Sequence, residues 1–267
     1  CNSLSTGTAD ESFTNLSYTI SLAHRWTDDV MTYLSYSTGY KSGGFSGRTV
    51  AFIPDQTPFP FNEEEAATIE MGIKSSWFDN RLRLNAALFD TSFEDLQVTI
   101  QSGVAPITAN AAEASIRGFE LDMMAAVTDS LQLTLAVGLL DGEYDEKPPQ
   151  LGDNLVNAPE STVNFGFVYD VDLNNAGSLV LRGDYTYKSK IYNNAENTRL
   201  LTQESIGLLD ASISWISPDE HYTATLGGKN LTDEEHLITG FFQPGIGYTE
   251  GVFARPNEWY LSLKYNF

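Results

Sequence analysis

The sequence predicts an all-β fold, and within that class an antiparallel transmembrane β-barrel of which about eleven strands are present. Two observations lead to this prediction. Apolar and polar residues alternate with a period of two along most of the chain, and short connections alternate with long ones. No stretch approaches the roughly 18 consecutive apolar residues of a membrane-spanning helix, so helices of that kind are excluded.

The chain is strongly acidic. Its 267 residues include 15 Lys and Arg against 36 Asp and Glu, which gives a formal net charge of −21. Because phosphate neutralisation needs an excess of basic residues, a nucleic-acid partner bound through a basic surface is excluded. The apolar share of 42% is ordinary for a packed protein and excludes wholesale disorder. Cys1 is the only cysteine, so no internal disulfide can form.

Eleven segments in chain order each present one apolar face. In the last segment, for example, Leu263 stands between the polar residues Ser262 and Lys264. The second segment lies around residues 31–40 and the tenth around residues 222–230. The apolar faces of the other nine are formed by Leu16, Tyr18, Ile20 and Leu22; Ile69, Met71 and Ile73; Leu82, Leu84, Ala86 and Leu88; Phe119, Leu121 and Met123; Leu131, Leu133, Leu135 and Val137; Val163, Phe165, Phe167 and Tyr169; Leu179, Leu181, Tyr185 and Tyr187; Leu209, Ala211, Ile213 and Trp215; and Trp259, Leu261, Leu263, Tyr265 and Phe267.

The connections between these segments alternate in length. Every second connection is long, and an antiparallel meander with its tight turns at one rim and its loops at the other has this arrangement. Short turns are predicted at residues 27–29, 78–80, 128–130, 173–177 and 218–220. Long links are predicted at about residues 41–64, 102–110, 143–160, 191–204 and 231–257.

Two architectures use strands with one apolar face, a soluble sandwich and a membrane barrel. Three features favour the barrel. The segments are mostly about 9–11 residues long, which suits a tilted strand that crosses a bilayer. The loops are far longer on one side than on the other. Aromatic residues stand at the ends of the apolar faces, where interfacial belts occur: Tyr187, Trp215, Trp259, Tyr265 and Phe267.

An odd number of strands has a consequence. Single-chain bacterial barrels have an even number, and an eleventh strand leaves an unpaired edge whose amide groups lipid cannot satisfy. We therefore expect that the chain is not a complete barrel and that its first strand follows an external loop of a missing N-terminal portion. Cys1 is then either the point at which a longer sequence was cut or a lipid-anchored N-terminus.

Six short motifs, in order along the chain, resemble those of TonB-dependent outer-membrane receptors. Each is weak alone, and only the box before the last strand departs from the family pattern, since residues 254–257 read ARPN. The motifs are GYKSGGFSGR at residues 39–48, EMGIKSSWFDNRL at 70–82, IRGFELD at 116–122, NAPE at 157–160, GGKNLTD at 227–233, and Arg255-Pro256 with the terminal Phe267.

The resemblance implies a fold and a function. The family has an N-terminal plug inside its barrel, and residues 1–267 would form roughly the second half of a 22-stranded barrel, without the plug and the first half. The implied function is TonB-dependent uptake of a scarce nutrient, most often an iron–siderophore complex, across the outer membrane of a Gram-negative bacterium. No catalysis, cofactor or metal site is implied. The implied partners are membrane lipid and lipopolysaccharide, the ligand, the chain's own plug and barrel half, TonB through the missing plug, and the barrel-assembly machinery.

Large aromatic residues in two long loops suggest a ligand-binding mouth. Water-exposed rings have to be covered by something, either by packing between loops or by an amphipathic anionic ligand. For the ligand, the predicted residues are Phe45, Phe241, Phe242 and Tyr248 for stacking and Lys41, Arg48 and Arg255 for charge. Further rings in the same loops are Phe52, Phe59, Phe61 and Phe253.

Charged residues on the polar faces are predicted to line the lumen and hold the plug, and the terminal Phe267 is predicted to be the signal that the assembly machinery reads. The lumen residues are Arg83, Glu120, Asp122, Arg182, Asp184 and Asp210.

Other function classes have less support. His24, His221 and His236 lack metal-ligand spacing, and no His is followed two residues later by the Ser that an outer-membrane phospholipase would need. The acidic clusters are predicted to be solvated loop charge, with bridging divalent ions as the alternative. A passive porin-like channel and a soluble or surface-attached adhesive β-protein remain as rivals.

Overall fold

The computed structural model describes residues 10–46, 59–102 and 105–267, and these residues are almost entirely strand and turn. Three short 3₁₀ helices lie at Asn174–Ala176, Arg199–Leu201 and Pro244–Ile246. The strands are β1 (Thr19–Arg25), β2 (Val30–Lys41), β3 (Gly44–Ser46), β4 (Phe59–Phe61), β5 (Glu64–Trp77), β6 (Leu82–Ser102), β7 (Ala105–Ala126), β8 (Leu131–Glu146), β9 (Ser161–Asp172), β10 (Ser178–Lys188), β11 (Ile191–Tyr192), β12 (Thr202–Gln203), β13 (Ile206–Ile216), β14 (Tyr222–Lys229), β15 (Leu237–Gln243), β16 (Tyr248–Phe253) and β17 (Glu258–Tyr265).

Eleven strands form one antiparallel sheet, which confirms the predicted number and order. The sheet order is β1-β2-β5-β6-β7-β8-β9-β10-β13-β14-β17, so each strand pairs with the next long strand along the chain. The other strands form three small hairpins, β3–β4, β11–β12 and β15–β16, inside the long connections of the described residues. The sheet does not close on itself. Its edges are β1 and β17.

The five predicted tight turns all lie at one end of the sheet, called here the turn end, and the long connections lie at the other, the loop end. The turn after β5 shows how the sequence sets this geometry. Phe78, Asp79 and Asn80 all have positive φ, at 56°, 55° and 66°. Asp and Asn tolerate this region better than most residues, so the DN pair allows a sharp reversal there.

Several strands are longer than predicted. β5, β6, β7 and β8 have 14, 21, 22 and 16 residues, instead of about 9–11. The predicted long link at residues 102–110 is also wrong, because β6 and β7 remain paired as far as Ser102 and Ala105. A bulge lies near Asp95, whose φ is 54°. It interrupts the alternation of apolar and polar residues that was used to predict the strand.

The register of the strands aligns the predicted apolar residues of neighbouring strands on one face of the sheet and the predicted polar ones on the other. On one face Leu34, Met71, Leu88, Phe119 and Leu139 are successive cross-strand partners on five neighbouring strands. We call this the apolar face. One residue away, on the polar face, the corresponding row is formed by Tyr33, Gly72, Ala87, Glu120 and Gly138.

The apolar face has no second layer of the described chain against it. Leu88 is 52% exposed, Ile213 40% and Leu261 71%. A two-layer sandwich would bury these side chains against one another, so the soluble sandwich is wrong for this sheet. An apolar surface of this extent has to be covered by something outside the described residues. Among those residues, no helix is long and apolar enough to cross a membrane.

Two glycines on the polar face give space to aromatic rings. A Cβ at Gly72 would overlap the ring of Tyr33, and one at Gly118 would overlap the ring of Phe89. Each ring lies across the backbone of the neighbouring strand, and Tyr33 OH donates a 2.7 Å hydrogen bond to Glu70. The glycines thus allow large side chains to lie flat along the polar face.

The assignment of faces predicts opposite results for two adjacent substitutions in the full-length protein. Leu88→Arg places a charge on the apolar face, and in a bilayer it should cost about 2–4 kcal/mol of unfolding free energy. Ala87→Arg places the same side chain on the polar face beside Glu120, and it should cost far less. Denaturant titration of the protein in lipid vesicles measures both. Equal losses would show that lipid does not cover the apolar face.

Candidate functional site

The long connections at the loop end pack against one another around a small apolar core. Val98 and Ala112 from the β6–β7 hairpin, Leu151 from the next loop and Ala195 from the loop after β10 are all at most 8% exposed. Leu96, Ile100, Tyr144 and Val156 pack around them. The extended β6–β7 hairpin is therefore a wall that two further loops pack against.

Polar side chains attach the β3–β4 hairpin to the same wall. Gln97 Nε2 donates to the carbonyls of Ser42 and Asn62, both at 3.0 Å. The Gln97 backbone N–H donates to Glu64 Oε2 at 2.8 Å. On the partner strand, the Thr108 N–H donates to Ser46 Oγ at 3.1 Å. The Gln97 side chain therefore holds both ends of the β2–β5 connection against the β6–β7 hairpin.

Two asparagines join the loop after β8 to the loop after β10. Asn197 Oδ1 accepts from the Asn154 N–H at 2.8 Å, and Asn197 Nδ2 donates to the Asn154 carbonyl at 2.9 Å. The Gly152 N–H donates to the Ala195 carbonyl at 2.8 Å beside them. We call these two asparagines the Asn154–Asn197 clamp. Asn197 has a φ of 50°, a conformation that Asn adopts more readily than most residues.

The β15–β16 hairpin rests on the second of these loops. Leu201 is 1% exposed and lies against the backbone of Gly240, where a Cβ would overlap it. The Leu237 N–H donates to Gln203 Oε1 at 2.6 Å. The loop end thus forms one packed layer from β6 to β16.

A cavity of about 470 Å³ lies within this layer. Its volume falls in the range of small-molecule sites, roughly 300–1,000 Å³. Phe93, Ala114 and Ile116 line it and continue the polar face of β6 and β7, so the cavity opens on the same side of the sheet as Glu120. Its other apolar lining residues include Leu96, Val98, Pro106, Tyr144, Leu155, Val156, Phe241 and Phe242, and its polar ones include Gln97, Asn193, Asn194 and Glu196.

Glu196 is the only charged residue among the described residues that line the cavity. Asn194 Nδ2 donates to its carboxylate at 2.7 Å, and Asn194 Oδ1 accepts from the Thr198 N–H at 3.0 Å. The carboxylate is therefore held in a defined position. On the same cavity wall, burial raises the pKa of Tyr144.

The structure brings two of the predicted ligand residues into the cavity, Phe241 and Phe242. The others lie elsewhere. Tyr248 OH donates to Glu250 at 2.9 Å, which raises the pKa of Tyr248, and Arg255 pairs with Glu258 at 3.3 Å. Lys41 ends β2, and Phe45 lies in the β3–β4 hairpin. Arg48 and Phe52 lie outside the described residues, as does Cys1.

The sequence did not indicate the polar lining of the cavity. Asn193, Asn194 and Glu196 belong to the run NNAENT at residues 193–198, whose only visible signal was its richness in Asn. Asn favours turns and local hydrogen bonds, which predicts an ordered loop but no particular contact.

The six predicted lumen residues, Arg83, Glu120, Asp122, Arg182, Asp184 and Asp210, all lie on the polar face. Two of them form a bidentate ion pair along one strand, in which Arg182 Nε and Nη2 lie 2.7 and 3.1 Å from the Asp184 oxygens. Asp210 Oδ1 accepts from the Asn230 N–H at 2.8 Å.

The NLTD motif at residues 230–233 has a structural role. Asn230 is buried and has a φ of 48°, and its side chain bonds to both the N–H and the carbonyl of Glu234. Asp233 Oδ1 accepts from the Asn257 N–H at 3.0 Å. The motif therefore links the end of β14 to the start of β17.

A family model described as "TonB dependent receptor-like, beta-barrel" matches residues 2–231, which is most of the chain. The chain belongs to the TonB-dependent receptor family. Members of this family are receptors and transporters, not enzymes, and they are outer-membrane β-barrel proteins of Gram-negative bacteria. Among the described residues, no group of three or more His, Cys, Asp or Glu could hold a metal ion.

Curated relatives include a protein named as a probable siderophore receptor and one named as a ferrioxamine B receptor. The probable TonB-dependent siderophore receptor PiuA of Acinetobacter baumannii is 26% identical over 257 residues, which cover 90% of this chain and 33% of that protein. The ferrioxamine B receptor of Salmonella typhimurium is 23% identical over 227 residues, covering 84% of this chain and 31% of that one. The chain thus spans about a third of the length of these relatives.

Solved structures share the fold. The ferric yersiniabactin uptake receptor FyuA of Yersinia pestis superposes with a TM-score of 0.80 at 20% identity, covering 93% of this chain and 37% of that one. The crystal structure of PiuA from Acinetobacter baumannii gives a TM-score of 0.72 at 21% identity, covering 93% and 35%. The eleven-stranded sheet is therefore a part of a TonB-dependent receptor barrel.

The Asn154–Asn197 clamp predicts a local loss of stability in one variant. Asn197→Ala removes the side-chain bonds to Asn154, and the opening free energy of this loop pair should fall by about 1–3 kcal/mol. Amide hydrogen exchange at Gly152 and Asn154 in the full-length receptor should then be about ten- to a hundredfold faster.

Asn197→Gly is the matched control, because it removes the same bonds and also relieves the positive φ. It should lose most of the same protection. If Asn197→Gly keeps the exchange rates of the unmodified receptor, the clamp does not hold the loops together.

Proposed function

We propose that the chain is the C-terminal part of the barrel of an outer-membrane receptor that takes up a ferric siderophore with energy from TonB. One observation carries the proposal. A cavity of about 470 Å³ lies among packed loops, opens on the polar-face side of the sheet and has Phe241 and Phe242 among its lining residues. Aromatic and apolar walls with a few fixed polar groups are typical of small-molecule sites. The relatives named as siderophore receptors support the choice of ligand class.

In this proposal the polar face lines the lumen, and a plug from the rest of the receptor packs against it. The charged residues of that face, among them Arg83, Glu120 and Asp122, would hold the plug by hydrogen bonds and ion pairs. The terminal Phe267 remains a predicted assembly signal. It is fully exposed, and its ring lies 5.1 Å from that of Tyr265 in an edge-on arrangement.

The main rival is a passive porin-like channel, which would leak small solutes. A liposome swelling assay on the full-length protein separates the two, since a plugged receptor should not swell the vesicles with sugars of low mass. Swelling at porin-like rates would favour the channel.

Uptake of iron tests the proposal directly. A strain that lacks the gene, complemented with the full-length receptor and starved of iron, should accumulate radioactive iron from at least one of a panel of ferric hydroxamate, catecholate and mixed chelates. Accumulation should disappear in a strain without TonB. If no chelate in the panel is taken up, the proposal is wrong.

The presence of Phe241 and Phe242 in the cavity lining predicts which aromatic residues matter for binding. Phe241→Ala together with Phe242→Ala should weaken the binding of a transported chelate about thirty- to a thousandfold, because each removes apolar surface worth about 1–2 kcal/mol. Tyr248→Ala is the matched control from the same hairpin, and it should leave affinity unchanged. Fluorescence titration of the purified full-length receptor measures all variants. Unchanged affinity in the double variant would contradict the assignment of this cavity.

A further inference from the structure

The cavity at the loop end has walls of two kinds. Four of its described lining residues are buried, and all four are apolar: Val98, Ala114, Leu155 and Ala195. None of the polar lining residues in the described chain is buried; they are Gln97, Thr99, Asn193, Asn194 and Glu196. Since the least exposed residues lie furthest from the opening, the inner wall of the cavity is hydrocarbon and its polar groups lie nearer the mouth.

The polar groups of the loop after β10 are engaged within the protein. Asn193 Nδ2 donates to the Leu201 carbonyl at 2.9 Å. Asn194 Nδ2 donates to Glu196 at 2.7 Å and to Thr198 Oγ1 at 2.8 Å. Glu196 has a further interaction besides this one, so its carboxylate is not free for a ligand. These side chains hold the loop in shape, which leaves the apolar wall as the main surface for a ligand.

No Lys or Arg is among the described residues that line the cavity. The cations of the neighbouring connections lie outside this lining. Lys41 ends β2, and Arg199 begins the second 3₁₀ helix and is exposed. Lys147 Nζ lies 3.1 Å from Asp153 Oδ1. The described lining therefore offers no basic group to an anion, and the favourable interaction that it does offer is the burial of hydrocarbon.

The volume of the cavity suits a part of a chelate better than a whole one. About 470 Å³ lies in the lower half of the range for sites that hold drug-sized ligands, roughly 300–1,000 Å³. A hexadentate ferric chelate is bulky, because it consists of the iron, three bidentate groups and the linkers between them. One arm of such a ligand fits this volume, and the iron centre then stays outside the cavity.

We propose that this cavity takes an uncharged acyl arm of the ferric chelate, with the chain against Val98, Ala114 and Leu155 and the iron centre on the polar-face side of the sheet. The inference rests on the proposed function and narrows its ligand class to chelates that carry a hydrocarbon arm. An aliphatic chain suits the innermost residues, since none of them has a ring. Each methylene that leaves water adds to affinity without needing a polar partner.

Three probes that share one iron centre test the proposal. They are a linear ferric tris-hydroxamate whose terminal amine carries an acetyl group, an octanoyl group, or a chain as long as octanoyl that ends in a carboxylate. The full-length receptor should bind the octanoyl form about ten- to a hundredfold more tightly than the acetyl form, because each fully buried methylene contributes about threefold to fourfold. The carboxylate form should bind no more tightly than the acetyl form, since a charge would have to enter the hydrocarbon wall. Fluorescence titration of the purified receptor measures affinity, and radioactive iron measures uptake.

Ala158→Leu fills part of the proposed subsite. Ala158 lines the cavity and is only partly buried, so a longer side chain has room to extend into it. The variant should lower the affinity for the octanoyl form about tenfold and leave that for the acetyl form unchanged, because it displaces part of the chain. Ala158→Val adds less volume and should lower the octanoyl affinity about threefold, so it tests the subsite even if the Leu variant does not assemble.

Ala67→Leu is the matched control. Ala67 lies opposite Ser92 on the apolar face of β5 and does not line the cavity. The control therefore makes the same change of side chain at the loop end, but on the other side of the sheet. It should change neither affinity.

Four results would overturn the inference. The octanoyl form could bind no more tightly than the acetyl form, or the carboxylate form could bind as tightly as the octanoyl form. The preference for octanoyl could be the same in both Ala158 variants and in Ala67→Leu, which would indicate that the chain dissolves in the surrounding lipid or detergent. Finally, the receptor could take up another ferric chelate and bind none of the three probes. Each of these leaves siderophore uptake intact, whereas failure to take up any ferric chelate overturns the proposed function itself.

Discussion

The backbone hydrogen-bond ladder is the constraint on which the rest of the structure depends. Each of the eleven long strands pairs with the next long strand along the chain, so apart from the bulges the backbone amides between the paired strands are satisfied without water. Because side chains alternate along each strand, this pairing also fixes which residues share a face. Leu88 and Glu120 therefore lie on opposite faces of the sheet. A shift of the strand register by one residue would exchange the apolar face and the polar face.

Much of this fold could be read from the sequence, because strand periodicity and tight turns are local signals. The eleven strands, the five turns at one rim and the two faces were all predictable in this way. The length of β6 and β7 was not. The bulge near Asp95 breaks the alternation, and beyond it the strands continue because Val98 and Ala112 are buried by loops that are distant in sequence.

The candidate site was less predictable from the sequence, because it depends on contacts between residues that are distant in the chain. The many aromatic residues in the loop before the last strand indicated Phe241 and Phe242. The lining of the cavity as a whole, however, is assembled from four separate connections between strands. These connections are brought together by long-range contacts such as the Asn154–Asn197 clamp and the packing of Leu201 against the backbone of Gly240. The sequence analysis also predicted that the loop cations Lys41, Arg48 and Arg255 would supply charge for the ligand. Arg255 pairs with Glu258, three residues further along the chain, and the sequence alone did not indicate which loop charges would pair.

The β6–β7 hairpin extends beyond the other strands at the loop end, and this length limits how the cavity can move. Its two strands continue from the barrel wall, past the bulge near Asp95, into the cavity wall, so the site and the barrel share one frame. Swinging this side of the binding chamber outward would require many ladder bonds to break at once. Within the proposed transport cycle, we therefore expect the moving parts to lie elsewhere in the receptor and this chain to form a fixed side of the binding site.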